Sequence, residues 1–366
     1  MTRGEGSGSR AAAPAAIVML SVALVCLLGA LRAPLAHAST KPIEMVAPYE
    51  YLGWGEPQAP ASVMAASGVK DLTLAFILSH GKCNPEWDGE RPLLGGSDEA
   101  AIESIRAAGG EVDVSFGGWS GKKLGSACKA PAALAAAYEK VIDAYSLNAI
   151  DIDIEHGEFT NKKVRKRVIE ALAIVHGENA ALEISVTFGT EETGPEPAGI
   201  SLIDDAAAIG FQPDAWTIMP FDFGRPLTDM GHASIRALEG LERDLVAAYG
   251  ISPAAAYAHA GISSMNGETD ESDETVSVEN FETMLAFAEL HHLARLTFWA
   301  VNRDRPCARD ETPGEDCSGI SQQPYAFTDV TVAATGGTAP VALPIGQALT
   351  DTTGHFAMML TTSFAP

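Results

Sequence analysis

Asn148-Ala149-Ile150-Asp151-Ile152-Asp153-Ile154-Glu155 alternates apolar and acidic residues from Ile150 to its end. Alternate side chains of a β-strand share a face, so Asp151, Asp153 and Glu155 line one side of this run and Ile150, Ile152 and Ile154 the other. Same-face neighbours stand roughly 6 to 7 Å apart, close enough for like charges to raise one another's pKa, and partial burial raises them further. A carboxyl that keeps its proton near neutrality beside one that does not is a general acid next to an anion. Two plainer readings compete. An edge strand with an acidic solvated face is one, and the three isoleucines weigh against it. A divalent-cation site of hard oxygen ligands is the other. No Asp-rich loop with a central Gly follows, and ligands on one strand wrap a cation poorly, so neither metal nor cofactor is expected.

Outward from this run, short β-rich segments recur at 49–54, 72–79, 111–116, 149–155, 182–188, 214–219, 256–262 and 296–301. Helical patterns at 99–108, 132–145, 162–176, 233–249 and 278–293 lie between them, with weaker ones elsewhere. Strands alternating with helices imply parallel pairing, in a barrel or an open doubly wound sheet. Eight units favour the barrel, so the expected fold is α/β, a (β/α)8 TIM barrel over residues 39–331. Active sites of such barrels gather at the C-terminal ends of the strands. Gly117-Gly118-Trp119, Glu155, Asp222 and Trp299 each fall at or just beyond one of those ends.

Residues 1–38 read as an export signal. Arg3 and Arg10 supply charge, 15–31 is apolar, and Ala36-His37-Ala38 is a small-x-small cleavage site. A retained membrane anchor is the rival reading, since the apolar stretch is long enough. With the signal removed, no integral membrane segment is expected in the mature chain, which is read as secreted and monomeric. Residues 332–366, rich in Ala, Thr, Gly and Pro, read as a C-terminal tail. Cys83, Cys128, Cys307 and Cys317 would remain after export. An even count in an oxidising compartment suggests two disulfides, and spacing favours Cys83 with Cys128 and Cys307 with Cys317. A net charge of −24 disfavours nucleic acid or an anionic membrane as partner. A neutral substrate fits better.

The Asp151-x-Asp153-x-Glu155 core resembles the fourth-strand signature of family 18 glycoside hydrolases, the chitinase family. Ser115-Phe116-Gly117-Gly118 is similar to that family's Ser-x-Gly-Gly motif on the third strand. Met219-Pro220-Phe221-Asp222 resembles its sixth-strand Met-x-Tyr-Asp, and Phe298-Trp299 its eighth strand. The resemblance runs from about residue 46 to 330. It implies hydrolysis of β-1,4 bonds in chitin or N-acetylglucosamine oligosaccharides by substrate-assisted, retaining catalysis. Glu155 would protonate the glycosidic oxygen, Asp153 would orient the sugar's acetamido group, and Asp151 would share a proton with Asp153. Asp222, Met219, Trp299, Gly117, Gly118 and Ser115 would form the substrate-binding set, with Trp299 as the stacking floor. Trp54, Trp87 and Trp119 are further stacking candidates.

The chain departs from the family pattern in two places. Asn148-Ala149 stands where the family usually has Asp-Gly, and Phe221 and Phe223 flank Asp222 where the family has a Tyr hydroxyl. Losing such a contact to a transition state costs on the order of 10²-fold or more, unless Tyr49 or Tyr51 substitutes. An endo-β-N-acetylglucosaminidase acting on glycoprotein glycans and a weakly active or non-catalytic carbohydrate-binding relative are therefore the alternatives. Other motifs fail. Gly118-Trp119-Ser120-Gly121 lacks the last Gly of a nucleophile elbow, and Lys122-Lys123 lacks the spacing of a phosphate loop. His291-His292 reads as a helix C-terminal pair. His156 is expected to face away from Glu155.

Overall fold

A computed structural model describes residues 46–335 apart from Trp54, Thr228 and Ser272. The export segment, Trp54 and 336–366 lie outside the described residues. Eight parallel strands form the framework: β1 (Tyr49–Tyr51), β2 (Asp71–His80), β3 (Glu111–Gly117), β4 (Ala149–Asp153), β5 (Glu183–Gly189), β6 (Ala215–Met219), β7 (Ala260–Met265) and β8 (Arg295–Trp299). Each is hydrogen-bonded to the next in chain order, and a short strand, Asn84–Trp87, pairs antiparallel with β2. A helix follows each strand: α1 (Pro60–Ser67), α2 (Ser97–Ala107), α3 (Pro131–Tyr145), α4 (Lys162–Glu178), α5 (Pro197–Ala208), α6 (Met230–Tyr249), α7 (Val278–His291) and α8 (Ala326–Ala334). This is the expected (β/α)8 barrel.

Local sequence explains the punctuation. Pro60, Pro131 and Pro197 open α1, α3 and α5, where the missing N–H has no helical partner to lose. Ser277 and Asn280 close a capping box on α7, and Gly68 and Gly250 end α1 and α6 in the left-handed conformation. From β8 to β1 the described residues show no hydrogen-bonded ladder. Side chains stitch that seam instead. Thr297 Oγ1 donates to Ala47 O at 2.7 Å, and Asn302 accepts from Tyr51 N at 2.8 Å while donating to Tyr51 O at 2.7 Å.

Two cores result. Between strands and helices the packing is apolar, with Ile150, Ile152 and Ile154 fully buried. Inside the barrel it is polar: Thr73, Ser115, Asp151, Thr187, Thr217, Arg295 and Thr297 are all withdrawn from water. Both disulfides match the spacing argument, with Cα–Cα separations of 4.8 Å for Cys83–Cys128 and 4.9 Å for Cys307–Cys317. No helix among the described residues is long and apolar enough to cross a membrane.

Several boundaries differ from expectation. The seventh strand lies at 260–265 rather than 256–262, because Ser252 caps a short helix over Pro253–Tyr257 and its alanines coil rather than extend. The fourth strand stops at Asp153, so Glu155 sits just beyond it as the N-cap of a short helix, His156–Thr160. The eighth begins one residue early, at Arg295, and ends at Trp299 before a 3-10 turn. Helix α8 runs through the boundary placed at residue 332, with Val332 buried.

Candidate active site

Register fixes the floor of the site. Asp151 pairs with Ser115 on β3 and with Ser185 on β5, pointing its carboxylate into the barrel. One oxygen accepts from Tyr49 Oη at 2.7 Å and Ser115 Oγ at 2.6 Å; the other accepts from Thr187 Oγ1 at 2.6 Å and from the Arg295 guanidinium at 2.6 Å. Asp151 and Arg295 are both 0% exposed. Four donors, one of them a buried guanidinium, fix the position of this carboxyl group. The donors to Asp151 come from Tyr49, Ser115, Thr187 and Arg295, and no hydrogen bond among the described residues joins it to Asp153, the partner with which a shared proton was expected.

Asp153, on the same face one step up, is buried, and its Oδ1 has no partner among the described residues. Burial pushes its pKa well above the carboxylate range, and the negative charges of Glu155 and Asp151 push it further. Glu155 is raised to about 7, chiefly by burial; Lys123 opposes that rise, while Asp222 and Asp270 add to it. Together Asp153 and Glu155 resist carrying two charges, so the pair retains protons to near neutrality and titrates as a unit. An acid with a pKa near the working pH is suited to donate to a leaving group and to recover its proton from water.

Around this column the C-terminal ends of the other strands supply walls. Trp299 is half-buried at the end of β8, its ring stacked on Phe76 at 5.4 Å and 11°, with Tyr49 and Tyr51 packed beside it. That leaves an aromatic floor of the kind on which an apolar sugar face rests. Asp222 follows β6 with φ +55, a left-handed conformation that Asp tolerates. Its Oδ1 accepts from the Glu271 amide at 3.1 Å, and its side chain also bonds Thr269. Met219 ends β6, half-buried. Phe221 and Phe223 are half-buried against the core, so no phenol stands beside Asp222 from its own loop. Both tyrosines considered as substitutes already have partners: Tyr49 Oη donates to Asp151, and Tyr51 bonds Asp88.

Gly117 and Gly118 serve the backbone. A Cβ on Gly117 would lie 2.0 Å from Asp153 O, and one on Gly118 would lie 2.5 Å from the Phe76 ring. The Gly118 amide donates to Asp153 O at 2.9 Å, tying the end of β3 to the end of β4. Ser115, grouped from sequence with the substrate contacts, is fully buried below the carboxylates as a donor to Asp151. Trp87 is core, 0% exposed, with Nε1 donating to Tyr145 Oη at 2.9 Å. Trp119 is 67% exposed and packs on the His156 ring at 3.8 Å. Trp119, Lys122, Lys123, His156 and Glu158 line a cleft of about 540 Å³ next to Glu155.

Sequence reading missed Arg295, Thr187 and Lys123. Arg295 shares the inward face with Thr297 and Trp299 at two-residue spacing, a signal that a strand starting at 296 leaves out. Lys123 was weighed only as part of a phosphate loop.

No model of a known family matches the chain. A probable bifunctional chitinase/lysozyme of Escherichia coli (strain K12) is 25% identical over 287 residues, 74% of this chain and 32% of that protein. Endochitinase 11 of Metarhizium anisopliae is 24% identical over 255 residues, 66% of this chain and 48% of its own length. The chain thus spans a third to a half of the curated relatives it matches. The catalytic domain of a hyperthermophilic chitinase from Pyrococcus furiosus is covered almost entirely: TM-score 0.72 at 28% identity, over 81% of this chain and 96% of that one. A barrel so nearly coextensive with a chitinase domain, with its Asp-x-Asp-x-Glu run at the end of β4 and two curated relatives named as chitinases, supports a family 18 glycoside hydrolase.

Proposed function

We propose that this chain is a secreted, monomeric chitinase that hydrolyses β-1,4 linkages of chitin or chitooligosaccharides with retention of configuration. The observation that carries the reading is the Asp151-Asp153-Glu155 column: a carboxyl anchored by four donors at the bottom, a proton-holding pair above it, and the half-exposed Trp299 alongside. With a sugar resting on Trp299, Glu155 donates its proton to the glycosidic oxygen as that bond breaks. The substrate's own acetamido oxygen closes on the anomeric carbon, giving an oxazolinium ion. Asp153 accepts from the acetamido N–H and stabilises the positive charge. Glu155, now ionised, takes a proton from the water that opens the ring, which restores the acid. Two disulfides favour an oxidising compartment, in keeping with removal of residues 1–38 on export.

The test compares chitohexaose with its fully N-deacetylated counterpart. Turnover should require the acetamido group, and Glu155→Gln should abolish it while oligosaccharide binding persists. Equal turnover of both substrates would point to a conventional two-carboxylate glycosidase.

A further inference from the structure

Beside the acid sits a cation that none of the steps above uses. Lys123 is 5% exposed, and its ammonium donates to the carbonyl oxygens of Gly117, at 3.0 Å, and Ser120. Two neutral carbonyls do not offset the cost of taking a charge out of water. The countercharges come from three carboxyls: Asp153 and Glu155 at the end of β4, and Glu158 in the short helix that follows. Glu158 is itself 3% exposed and accepts from the Gly125 amide. It packs so closely that a Cβ on Gly125 would lie 2.1 Å from its Oε1. The segment carrying Lys123 has little freedom to move away, because Cys128 is bonded to Cys83, Arg167 donates to Gly125 O at 2.6 Å, and Lys122 O accepts from Ser79 N at 2.7 Å.

Resting on the reading of Glu155 as the acid, we propose that Lys123 is a positioning residue: buried under its own loop and bonded to Gly117 O and Ser120 O, it fixes the end of β3, with Trp119, and a positive charge against the catalytic carboxylates. Burial raises Glu155, and the nearby ammonium opposes it by favouring the ionised form. Without Lys123 the acid would hold its proton too tightly to release it. Glu158 competes for the same ammonium and, raised by its own burial to about 7, gains its charge over the pH range in which Glu155 titrates, so that charge works in the opposite direction. Asp222 and Asp270 also act on Glu155, and Lys122 and His156 line the same cleft; all stay intact in the variants below.

The experiment reads Glu155 directly, by 13C NMR titration of labelled glutamate carboxyls in the substrate-free protein, with the resonance assigned through Glu155→Gln. Lys123→Met should move the Glu155 midpoint up by about one unit or more, and the alkaline limb of kcat/KM should move with it. Lys123→Arg should restore both, and Glu158→Gln should move the midpoint down. A midpoint in Lys123→Met that coincides with wild type overturns the proposal. So does an upward or absent shift in Glu158→Gln, which decides the matter if Lys123→Met fails to fold. Because the titration needs no turnover, it separates this inference from the assignment of Glu155: an active Glu155→Gln enzyme would refute the assignment and leave the Lys123 result standing.

Discussion

Arg295 and Asp151 meet at 2.6 Å with both side chains at 0% exposure. Removing one partner of a buried pair leaves an uncompensated charge, at a cost of about 3 to 5 kcal/mol. Arg295→Met should therefore lower unfolding free energy by that order in a urea titration, and Asp153 should titrate higher still, because Arg295 opposes its rise. A fully stable Arg295→Met would mean that the Tyr49, Ser115 and Thr187 hydroxyls hold Asp151 without help. At Asp222 the question is a missing contact. If the absent phenol limits rate, Phe221→Tyr or Phe223→Tyr should raise kcat more than it changes KM, since the contact strengthens in the transition state. Two folded variants with unchanged kcat would refute that limit. The column of carboxylates was readable from sequence because a period of two needs only the strand itself. Lys123 was not, because nothing local distinguishes a lysine that folds back under its own loop from one that reaches into water.

Among the elements, β1 carries an unusual load for three residues. Tyr49 and Tyr51 face the site, so Glu50 faces the packing behind the strand, fully buried with neither oxygen partnered among the described residues. Burial raises it from an ordinary 4.5 to about 8. A carboxyl whose folded pKa exceeds its unfolded one contributes stability in full below about 4.5 and loses it as pH rises towards about 8. Each unit of the difference is worth up to about 1.4 kcal/mol. Wild type should thus lose stability across that window by more than Glu50→Gln does, as read by urea midpoints at several pH values; parallel slopes would mean that Glu50 stays ionised in the fold. The Cys83–Cys128 bridge spans 45 residues, from the end of β2 to the segment before α3. Loop-closure entropy puts it at roughly 4 kcal/mol, so Cys83→Ser/Cys128→Ser should unfold at clearly lower denaturant. Strand boundaries were legible where apolar runs were bounded by turn residues, as at β3 and β6. They failed at β7, where Pro253 and the alanines after it satisfy a capped helix as readily as a strand entry.

For the whole molecule, the count of eight alternating units sufficed for the barrel, and the strand ends located most of the site. What the sequence left hidden was the polar interior. Thr73, Ser185 and Thr187 read singly as ordinary strand residues, and only closure of the ring brings them to Asp151 and Arg295. The seam between β8 and β1, stitched by Asn302 and Thr297, is equally invisible to periodicity. With Glu155 held near 7, kcat/KM should fall as pH rises through about 7, since only the protonated acid serves the leaving group. The most direct test of the central claim is the anomeric configuration of the first product, followed by 1H NMR during the opening minutes of chitohexaose hydrolysis. Participation of the acetamido group predicts the β-anomer first, with α appearing only by mutarotation; an initial α-anomer would mean that water displaces the leaving group directly, contradicting the account.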